Sequence, residues 1–301
     1  MVPILDGRMG KTVTCSIFRI NTGVKRVLFF AAMSEASAKA PHVLVERDGH
    51  VTIVTMNRPA ARNAMGLELL VRLADAWDAI DADPEVRVAI LTGAGGNFSA
   101  GADLKGMAGG YADDEWTARM KREPDLHWKS FLRSYHLKKP LVAAVEGIAF
   151  GGGTEILQAT DIRVAGKSAR FGLTEAKWGL FPLGGSTVRL RRQIPPAFAM
   201  EMLLTGRAVT AEEAHRWGLI NRVVDDGAAL AEARAIADLI AANGPIAVQA
   251  IKRSALSSDG LPEAEALARE LEIGQPVFGT ADAKEGPRAF LEKRKPAFQG
   301  K

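Results

Sequence analysis

Cysteine is nearly absent from this chain of 301 residues, which contains only Cys15. Intramolecular disulfides therefore cannot hold the fold, and we expect a reducing compartment, the cytoplasm. The five histidines show no i, i+4 pairing, so together with one cysteine they do not form a zinc-binding pattern and no metal is expected. No stretch of about 18 apolar residues occurs, so no membrane span is predicted.

Net charge is also lacking over most of the chain. Residues 1–40 hold six basic and two acidic side chains, and the remainder holds 33 of each sign, so the net charge of +4 arises in the first 40 residues. The basic pI of 9.2 therefore does not indicate a nucleic-acid-binding face on the folded part, and no nucleic-acid partner is expected.

Residues 1–40 are predicted to form a basic, disordered N-terminal extension, with Met33 as the natural start. The alternative is secretion, because "KRVLFFAAMSEASA" has the cations, apolar run and small residues of a signal peptide. The apolar run from Val27 to Met33 is short for that purpose, and the basic region before it is too long.

Alternation of apolar and polar residues over 42–59, around Asp48 and Gly49, predicts a β-hairpin with a primed turn. Helical spacing predicts an amphipathic helix from Gly66 to Ile80. Buried strands are predicted at 86–93, 140–147 and 161–166, each followed by a loop of small residues. A glycine-rich loop follows the first of these strands, residues 106–128 read as irregular, and a helix is expected around 115–136.

The last third of the sequence is predicted to be helical. Thr210 and Glu213 form a capping-box pattern, and breaks are expected at 243–245, at Gly260 and at Gly279. We therefore expect a core over 41–235 that holds the active site, and a helical C-terminal lobe over 236–301.

Several glycine motifs are excluded by single mismatches. "GAGGNF" and "GGGTEI" each lack the last glycine of a dinucleotide fingerprint. "GKS" at 166–168 has Asp161 where a phosphate loop needs its first glycine. No G-x-S-x-G motif is present, because Asn97 stands where that motif needs its first glycine. The chemistry is therefore expected from carboxylates and backbone groups.

Three consecutive glycines, 151–153, stand before a helical pattern in "GIAFGGGTEI". A helix N-terminus has unpaired N–H groups, and glycine lets a ligand atom approach them, so the stretch can supply half of an oxyanion hole. The loop "SAGADL" (99–104) follows another strand and can supply the second N–H, from Ala102. The alternative for the glycines is a tight turn packed on a neighbouring strand.

Glu155 and Glu175 lie twenty positions apart, each just after a glycine-containing loop. Two carboxylates beside one oxyanion hole would permit paired proton transfers. Glu155 could instead only stabilise the start of a helix through the helix dipole, and Glu175 could be solvated.

Together these stretches make the sequence similar to the crotonase, or enoyl-CoA hydratase/isomerase, superfamily over nearly all of residues 41–301. The matching segments, in this order, are 57–65 ("NRPAARNAM"), 89–107, 138–156, 161–186, 199–224 and 285–298. The resemblance implies an α/β fold, a ClpP-like spiral of stacked β-β-α units with a helical C-terminal lobe that trimerises. It also implies a homotrimer or a dimer of trimers.

The resemblance further implies roles for single residues. The oxyanion hole would consist of the N–H groups of Ala102 and Gly152, and Glu155 and Glu175 would be the catalytic pair. Coenzyme A, as part of the substrate, would be bound by Ala102, Asp103, Leu104, Lys105, Phe290 and Lys293, the last two often from a neighbouring subunit. Trp178 and Phe181 are bulkier than in simpler hydratases and would border the acyl pocket.

The function expected from this resemblance is enoyl-CoA hydration in fatty-acid or related β-oxidation, without a metal or redox cofactor. Because Glu155 and Glu175 are both present, hydration is favoured over Δ3,Δ2-enoyl-CoA isomerisation, which commonly needs one glutamate. A non-catalytic acyl-CoA-binding scaffold, whose basic extension recruits RNA or anionic lipid, is the alternative from another class.

Overall fold

The structure is a computed structural model that describes residues 40–301. The predictions of a disordered extension, of a start at Met33 and of a signal-like segment fall on residues 1–39 and lie outside the described residues. No helix among residues 40–301 is both long enough and apolar enough to cross a bilayer.

Two β-sheets carry the core. Their strands are β1 (Val43–Asp48), β2 (Val51–Met56), β3 (Val88–Gly93), β4 (Leu141–Val145), β5 (Ile148–Phe150), β6 (Ile162–Gly166), β7 (Arg170–Gly172), β8 (Val209–Thr210) and β9 (Arg222–Val224). The larger sheet has the order β1-β2-β3-β4-β6-β9 and the smaller sheet has the order β5-β7-β8. The pairings β1–β2 and β7–β8 are antiparallel and the others are parallel.

The predicted hairpin is confirmed. β1 and β2 pair from Val43 opposite Met56 to Asp48 opposite Val51, which leaves Gly49 and His50 as the connecting residues. Gly49 has φ +61°, the positive value that a primed hairpin turn requires at its first central residue.

Helices fill the connections between strands and the C-terminal part. They are α1 (Leu67–Ala82), α2 (Leu104–Gly109), α3 (Glu115–Arg122), α4 (Leu126–Ser130), α5 (Gly152–Leu157), α6 (Ser186–Gln193), α7 (Pro196–Thr205), α8 (Ala211–Arg216), α9 (Ala229–Ala241), α10 (Pro245–Ser257), α11 (Glu263–Gly274) and α12 (Ala281–Leu291). Short 3₁₀ helices span Pro59–Ala61, Glu175–Trp178 and Gln275–Gly279.

The prediction of one helix around 115–136 was wrong. The segment forms α3 and α4, and Pro124 lies between them. Proline has no N–H for the helical ladder, and its ring disfavours helical geometry in the residue before it. The structure also places α2 where a continuous loop was predicted; Asp103 caps that helix by accepting a hydrogen bond from Gly106 N–H.

The larger sheet is buried on both faces, as its runs of apolar residues require. On one face, α1 packs with Trp77, Leu69 and Leu73 against alternate residues of β2, β3 and β4. On the other face, α9 packs with Ala229, Ala233, Ile236 and Ala237. The predicted boundary at residue 236 falls inside α9, and the chain next breaks at 242–244, before α10.

The spiral of β-β-α units is confirmed. β4 lies in the larger sheet, β5 in the smaller sheet, and α5 follows; β6 and β7 then repeat this course and a 3₁₀ helix and α6 follow. The predicted capping box is also present, because the Thr210 side chain accepts from Glu213 N–H and the Glu213 side chain accepts from Thr210 N–H.

Candidate active site

Three successive turns of the spiral bring the candidate residues together. Phe150 N–H donates to the carbonyl of Ser99 at 2.9 Å, and Gly151 N–H donates to that of Gly172 at 2.8 Å. Residues 99–102, 149–152 and 171–175 therefore run side by side, although they are far apart in sequence. This stacking explains why Glu155 and Glu175 meet at one site.

The amides of Ala102 and Gly152 lie close together. A Cβ built on Gly101 would be 3.0 Å from the amide nitrogen of Gly152. Because three bonds separate that Cβ position from the nitrogen of Ala102, the two nitrogens lie within about 7 Å of each other. Within residues 40–301, neither N–H donates to a protein acceptor. Both donors remain available for a ligand oxygen.

Asn63 holds the loop that carries Ala102, a role that the sequence analysis did not assign. Its buried side chain donates to the carbonyls of Ala94 at 2.9 Å and Asn97 at 2.7 Å. The Ser99 hydroxyl donates to the Asn63 carbonyl and accepts from Gly101 N–H. Both the side chain and the carbonyl of Asn63 therefore hold this loop in place. The burial of Asn63 and its φ of +56° mark it as a structural residue, and neither is visible in the sequence.

Glu155 lies in the first turn of α5 and is 5% exposed. Ser186 N–H, at the start of α6, donates to its Oε1 at 3.3 Å. A Cβ on Gly184 would stand 2.8 Å from its Oε2, so only glycine leaves room for the carboxylate. Burial raises the pKa of Glu155, and the Ser186 hydrogen bond opposes this rise.

Glu175 begins the 3₁₀ helix after β7. Its Oε1 lies 3.1 Å from the position of a Cβ on Gly151. Its Oε2 is buried and has no hydrogen-bond partner in the described part of the chain. Burial raises the pKa of Glu175 to about 7, and the negative charge of Glu155 contributes in the same direction.

The two carboxyl groups therefore differ in environment. Ser186 N–H and the positive charge of Arg189 favour the ionised form of Glu155, whereas Glu175 keeps an unpartnered oxygen and a pKa near neutrality. Neighbouring groups whose surroundings separate their proton affinities suit the roles of base and acid. The arrangement places two carboxyl groups, which can accept or donate protons, beside two N–H groups that have no protein acceptor in the described residues.

A family model described as enoyl-CoA hydratase/isomerase matches residues 46–301. The chain belongs to the enoyl-CoA hydratase/isomerase family. Enoyl-CoA hydratase EchA19 of Mycobacterium tuberculosis is 55% identical over 261 residues, which are 87% of this chain and 97% of the relative. The (E)-benzylidenesuccinyl-CoA hydratase of Thauera aromatica is 40% identical and covers 86% of this chain and 99% of its own.

Solved structures agree with the assignment to the enoyl-CoA hydratase/isomerase family. The crystal structure of enoyl-CoA hydratase EchA1 from Mycobacterium marinum superimposes with a TM-score of 0.80 at 44% identity, over 87% of this chain and all of that one. The crotonase fold predicted from the sequence is therefore confirmed.

The residues predicted to hold coenzyme A fall into two groups. Asp103 caps α2 and pairs with Arg58 at 2.5 Å, while Leu104 and Lys105 are exposed beside it. Phe290 is 83% exposed at the end of α12. Lys293 follows with φ +54°. Within the described chain, no hydrogen bond, ion pair or ring contact joins these two residues to residues 102–105.

Trp178 and Phe181, predicted at the acyl pocket, are 66% and 62% exposed. Phe181 lines a cleft of about 1310 Å³ between α6, α10 and residues 132–140, and Trp178 does not. Neither Glu155 nor Glu175 lines this cleft. In this enoyl-CoA hydratase/isomerase family member, the cleft is instead lined by Gln158 and Gly185, which are close in sequence to Glu155 and to its contact Gly184.

Replacing Gly184 with alanine is expected to lower kcat by about tenfold or more, since small displacements of a catalytic group are costly. The new Cβ would lie 2.8 Å from Oε2 of Glu155 and 3.0 Å from its Cβ, which pushes the carboxylate out of position. Turnover and thermal unfolding would be measured together. Gly109→Ala is the control, because a Cβ there meets nothing within 4 Å; equal kcat in both variants would contradict the expected displacement.

Proposed function

We propose that this chain is an enoyl-CoA hydratase that adds water to a trans-2-enoyl-CoA and releases a 3-hydroxyacyl-CoA. The observation that carries the proposal is the pair of N–H groups at Ala102 and Gly152, neither with a protein acceptor in the described residues, beside two carboxyl groups. Glu155 accepts a hydrogen bond from Ser186 N–H, whereas Glu175 has an unpartnered oxygen and a pKa raised to about 7. Further support comes from the family membership and from relatives named as hydratases.

In the proposed reaction, the thioester oxygen accepts hydrogen bonds from Ala102 and Gly152 N–H. These bonds stabilise the enolate-like charge that develops on this oxygen. Glu155, ionised, takes a proton from water as the water oxygen bonds to C3. Glu175, protonated, gives its proton to C2, and the C2=C3 double bond becomes single. Proton exchange with solvent then restores both acids, and the step as written uses no metal or redox cofactor.

The decisive experiment incubates the full chain with crotonyl-CoA and a longer 2-enoyl-CoA in isotopically labelled water. We expect a 3-hydroxyacyl-CoA that carries the label at the C3 oxygen, identified by mass spectrometry. A 3-enoyl-CoA, incubated in parallel, tests the isomerase alternative. If the 3-enoyl-CoA is converted while the 2-enoyl-CoA gains no oxygen label from the water, hydration is contradicted.

The pH dependence of kcat/KM provides a second test. Because the pKa of Glu175 is raised to about 7 and hydration needs its protonated form, activity is expected below that pH and is lost as pH rises through it. Glu155 must be ionised, so activity also falls at acid pH, and the two limbs describe the coupled pair. Initial rates across the stable pH range, with circular dichroism as a folding control, measure this profile; a flat profile through neutrality would contradict the assignment of Glu175.

We also propose that the protein forms a homotrimer or a dimer of trimers through its C-terminal helices. These helices leave large apolar side chains exposed, namely Leu239, Ile251, Leu256, Leu267, Leu271, Phe278, Phe290 and Leu291. Exposed apolar surface of this extent is typical of subunit contacts. Sedimentation equilibrium measures the assembly state. We further propose a cytoplasmic location, on the ground that one cysteine permits no intramolecular disulfide.

A further inference from the structure

Arg189 lies on α6, close in sequence to residues 184–186, which contact the Glu155 carboxylate and which we call the cradle of Glu155. Its Nη2 donates to the carbonyl of Leu132 at 2.5 Å, and its Nη1 donates to that of Gly184 at 3.5 Å. Its side chain folds back over Gly185, where a Cβ would lie 3.4 Å from Nη1. Within residues 40–301 it takes part in no ion pair, so both of its bonds go to neutral carbonyls.

The first of these carbonyls belongs to a strained turn. Leu132 is buried and has φ +52°, a conformation that costs a residue with a side chain about 1–2 kcal/mol. Such strain persists only where surrounding contacts fix the backbone. The ring of the preceding residue, Phe131, lies 3.1 Å from the position of a Cβ on Gly152. The turn therefore packs, through Phe131, against Gly152, whose N–H is one of the two without a protein acceptor in the described residues.

The second carbonyl belongs to the cradle of Glu155. Gly184 contacts the carboxylate, and Ser186 N–H donates to it at 3.3 Å. The Ser186 hydroxyl accepts from Gln158 at 2.7 Å, the residue that follows the end of α5. One guanidinium thus joins a segment that contacts Gly152 to a segment that contacts Glu155.

We propose that Arg189 is a positioning residue, which fixes the Phe131–Leu132 turn behind Gly152 and the Gly184–Ser186 cradle of Glu155 in one arrangement. Planar guanidinium groups suit this task because they offer several N–H donors in a fixed geometry. The proposal rests on the proposed hydratase function for its kinetic consequences, whereas its structural consequences are independent of it.

Arg189 also influences the charge of Glu155. The charged groups that face these two residues are Glu175, from the 3₁₀ helix, Arg133, beside the strained turn, and Arg163, on β6. Arg189 is the cation that favours the ionised form of Glu155. Its removal raises the proton affinity of Glu155, so the acid limb of the pH profile moves to higher pH.

The test compares Arg189→Met and Arg189→Lys with Arg191→Met, a matched control on the same helix. Arg191 is exposed, and its side chain makes no hydrogen bond or ion pair within the described residues. For Arg189→Met we expect kcat to fall by about 10–100-fold and the acid limb of kcat/KM to shift upward. Arg189→Lys keeps the charge, so the acid limb stays in place. Its kcat falls because one ammonium group does not reproduce the pair of hydrogen bonds to Leu132 and Gly184.

Hydrogen exchange measured by mass spectrometry provides a readout that does not depend on activity. The N–H groups of Leu132, Arg133 and Ser186 are hydrogen-bonded, so Arg189→Met is expected to accelerate exchange at 131–133 and 184–186 together. Should that variant not fold, the same comparison in Arg189→Lys decides.

Unchanged exchange in these segments, or equal changes in Arg191→Met, would overturn the positioning role. An unmoved acid limb in Arg189→Met would contradict the proposed effect of the Arg189 charge on Glu155. If the wild-type chain adds no water to any enoyl-CoA, the hydratase proposal fails, and the exchange experiment still decides whether Arg189 couples the two segments.

Discussion

Replacing Glu175 with glutamine is expected to lower kcat for hydration by about 10²–10⁴-fold, the usual contribution of a positioned general acid. The amide has nearly the same shape as the carboxyl group, so Oε1 of Glu175 beside Gly151 is replaced without a steric change. What disappears is a proton with a pKa near neutrality. The basic limb of the pH profile, which reports loss of this proton, is expected to disappear with it.

Binding separates this effect from misfolding. The free N–H groups at Ala102 and Gly152 are untouched in Glu175→Gln, so calorimetric titration with the 3-hydroxyacyl-CoA product is expected to give an affinity close to that of the wild type. Glu212→Gln is the control, because Glu212 is exposed on α8 and, within the described residues, its side chain makes no hydrogen bond or ion pair with any residue of the site. Turnover within a few-fold of the wild type in Glu175→Gln would remove Glu175 from the mechanism.

Gly101→Ala is expected to cost about 10²–10³-fold in kcat, comparable with the loss of one oxyanion donor. The added Cβ would lie 2.5 Å from the carbonyl oxygen of Phe150 and 3.0 Å from the amide nitrogen of Gly152. Both contacts are with backbone, which cannot rotate away as a side chain can. The turns that carry Ala102 and Gly152 must therefore separate, and one oxygen can no longer accept from both.

Gly96→Ala is a closely matched control for Gly101→Ala. Both glycines lie in the same loop with positive φ, +72° and +88°, so alanine introduces similar backbone strain at each. A Cβ on Gly96 meets nothing within 4 Å. Both variants are expected to unfold at somewhat lower temperature, but only Gly101→Ala loses turnover. Similar kcat in the two would argue that the amides of Ala102 and Gly152 do not act on a shared oxygen.

Local signals allowed most of the fold to be predicted. The hairpin at Gly49 and the capping box of Thr210 depend on residues that are close in sequence, and the structure contains both. Pro124 was overlooked within a pattern that otherwise favoured one helix. The helical pattern of α9 is visible in the sequence, whereas its packing on the larger sheet becomes visible only in three dimensions.

Prediction of the site was limited in the same way. The glycine triplet and the two glutamates stand out because each is unusual in its local context. Asn63 and Arg189 look like ordinary loop and helix residues in the sequence. Their importance comes from contacts with residues 31 to 57 positions away, and periodicity within a short window carries no information about such contacts.

The stacking of 99–102, 149–152 and 171–175 has a consequence for how the protein acquires activity. Each of these three turns of the spiral contributes a different group to the site: the Ala102 N–H, the Gly152 N–H and the Glu175 carboxyl group. The backbone hydrogen bonds donated by Phe150 and Gly151 join all three turns. Long-range pairings of this kind form late in folding, because the entropy cost of closing the intervening loops opposes them until neighbouring turns have docked. A nascent or truncated chain that stops before residue 170 would lack Glu175 and the acceptor of the Gly151 hydrogen bond, so the site is complete only after the third turn has docked.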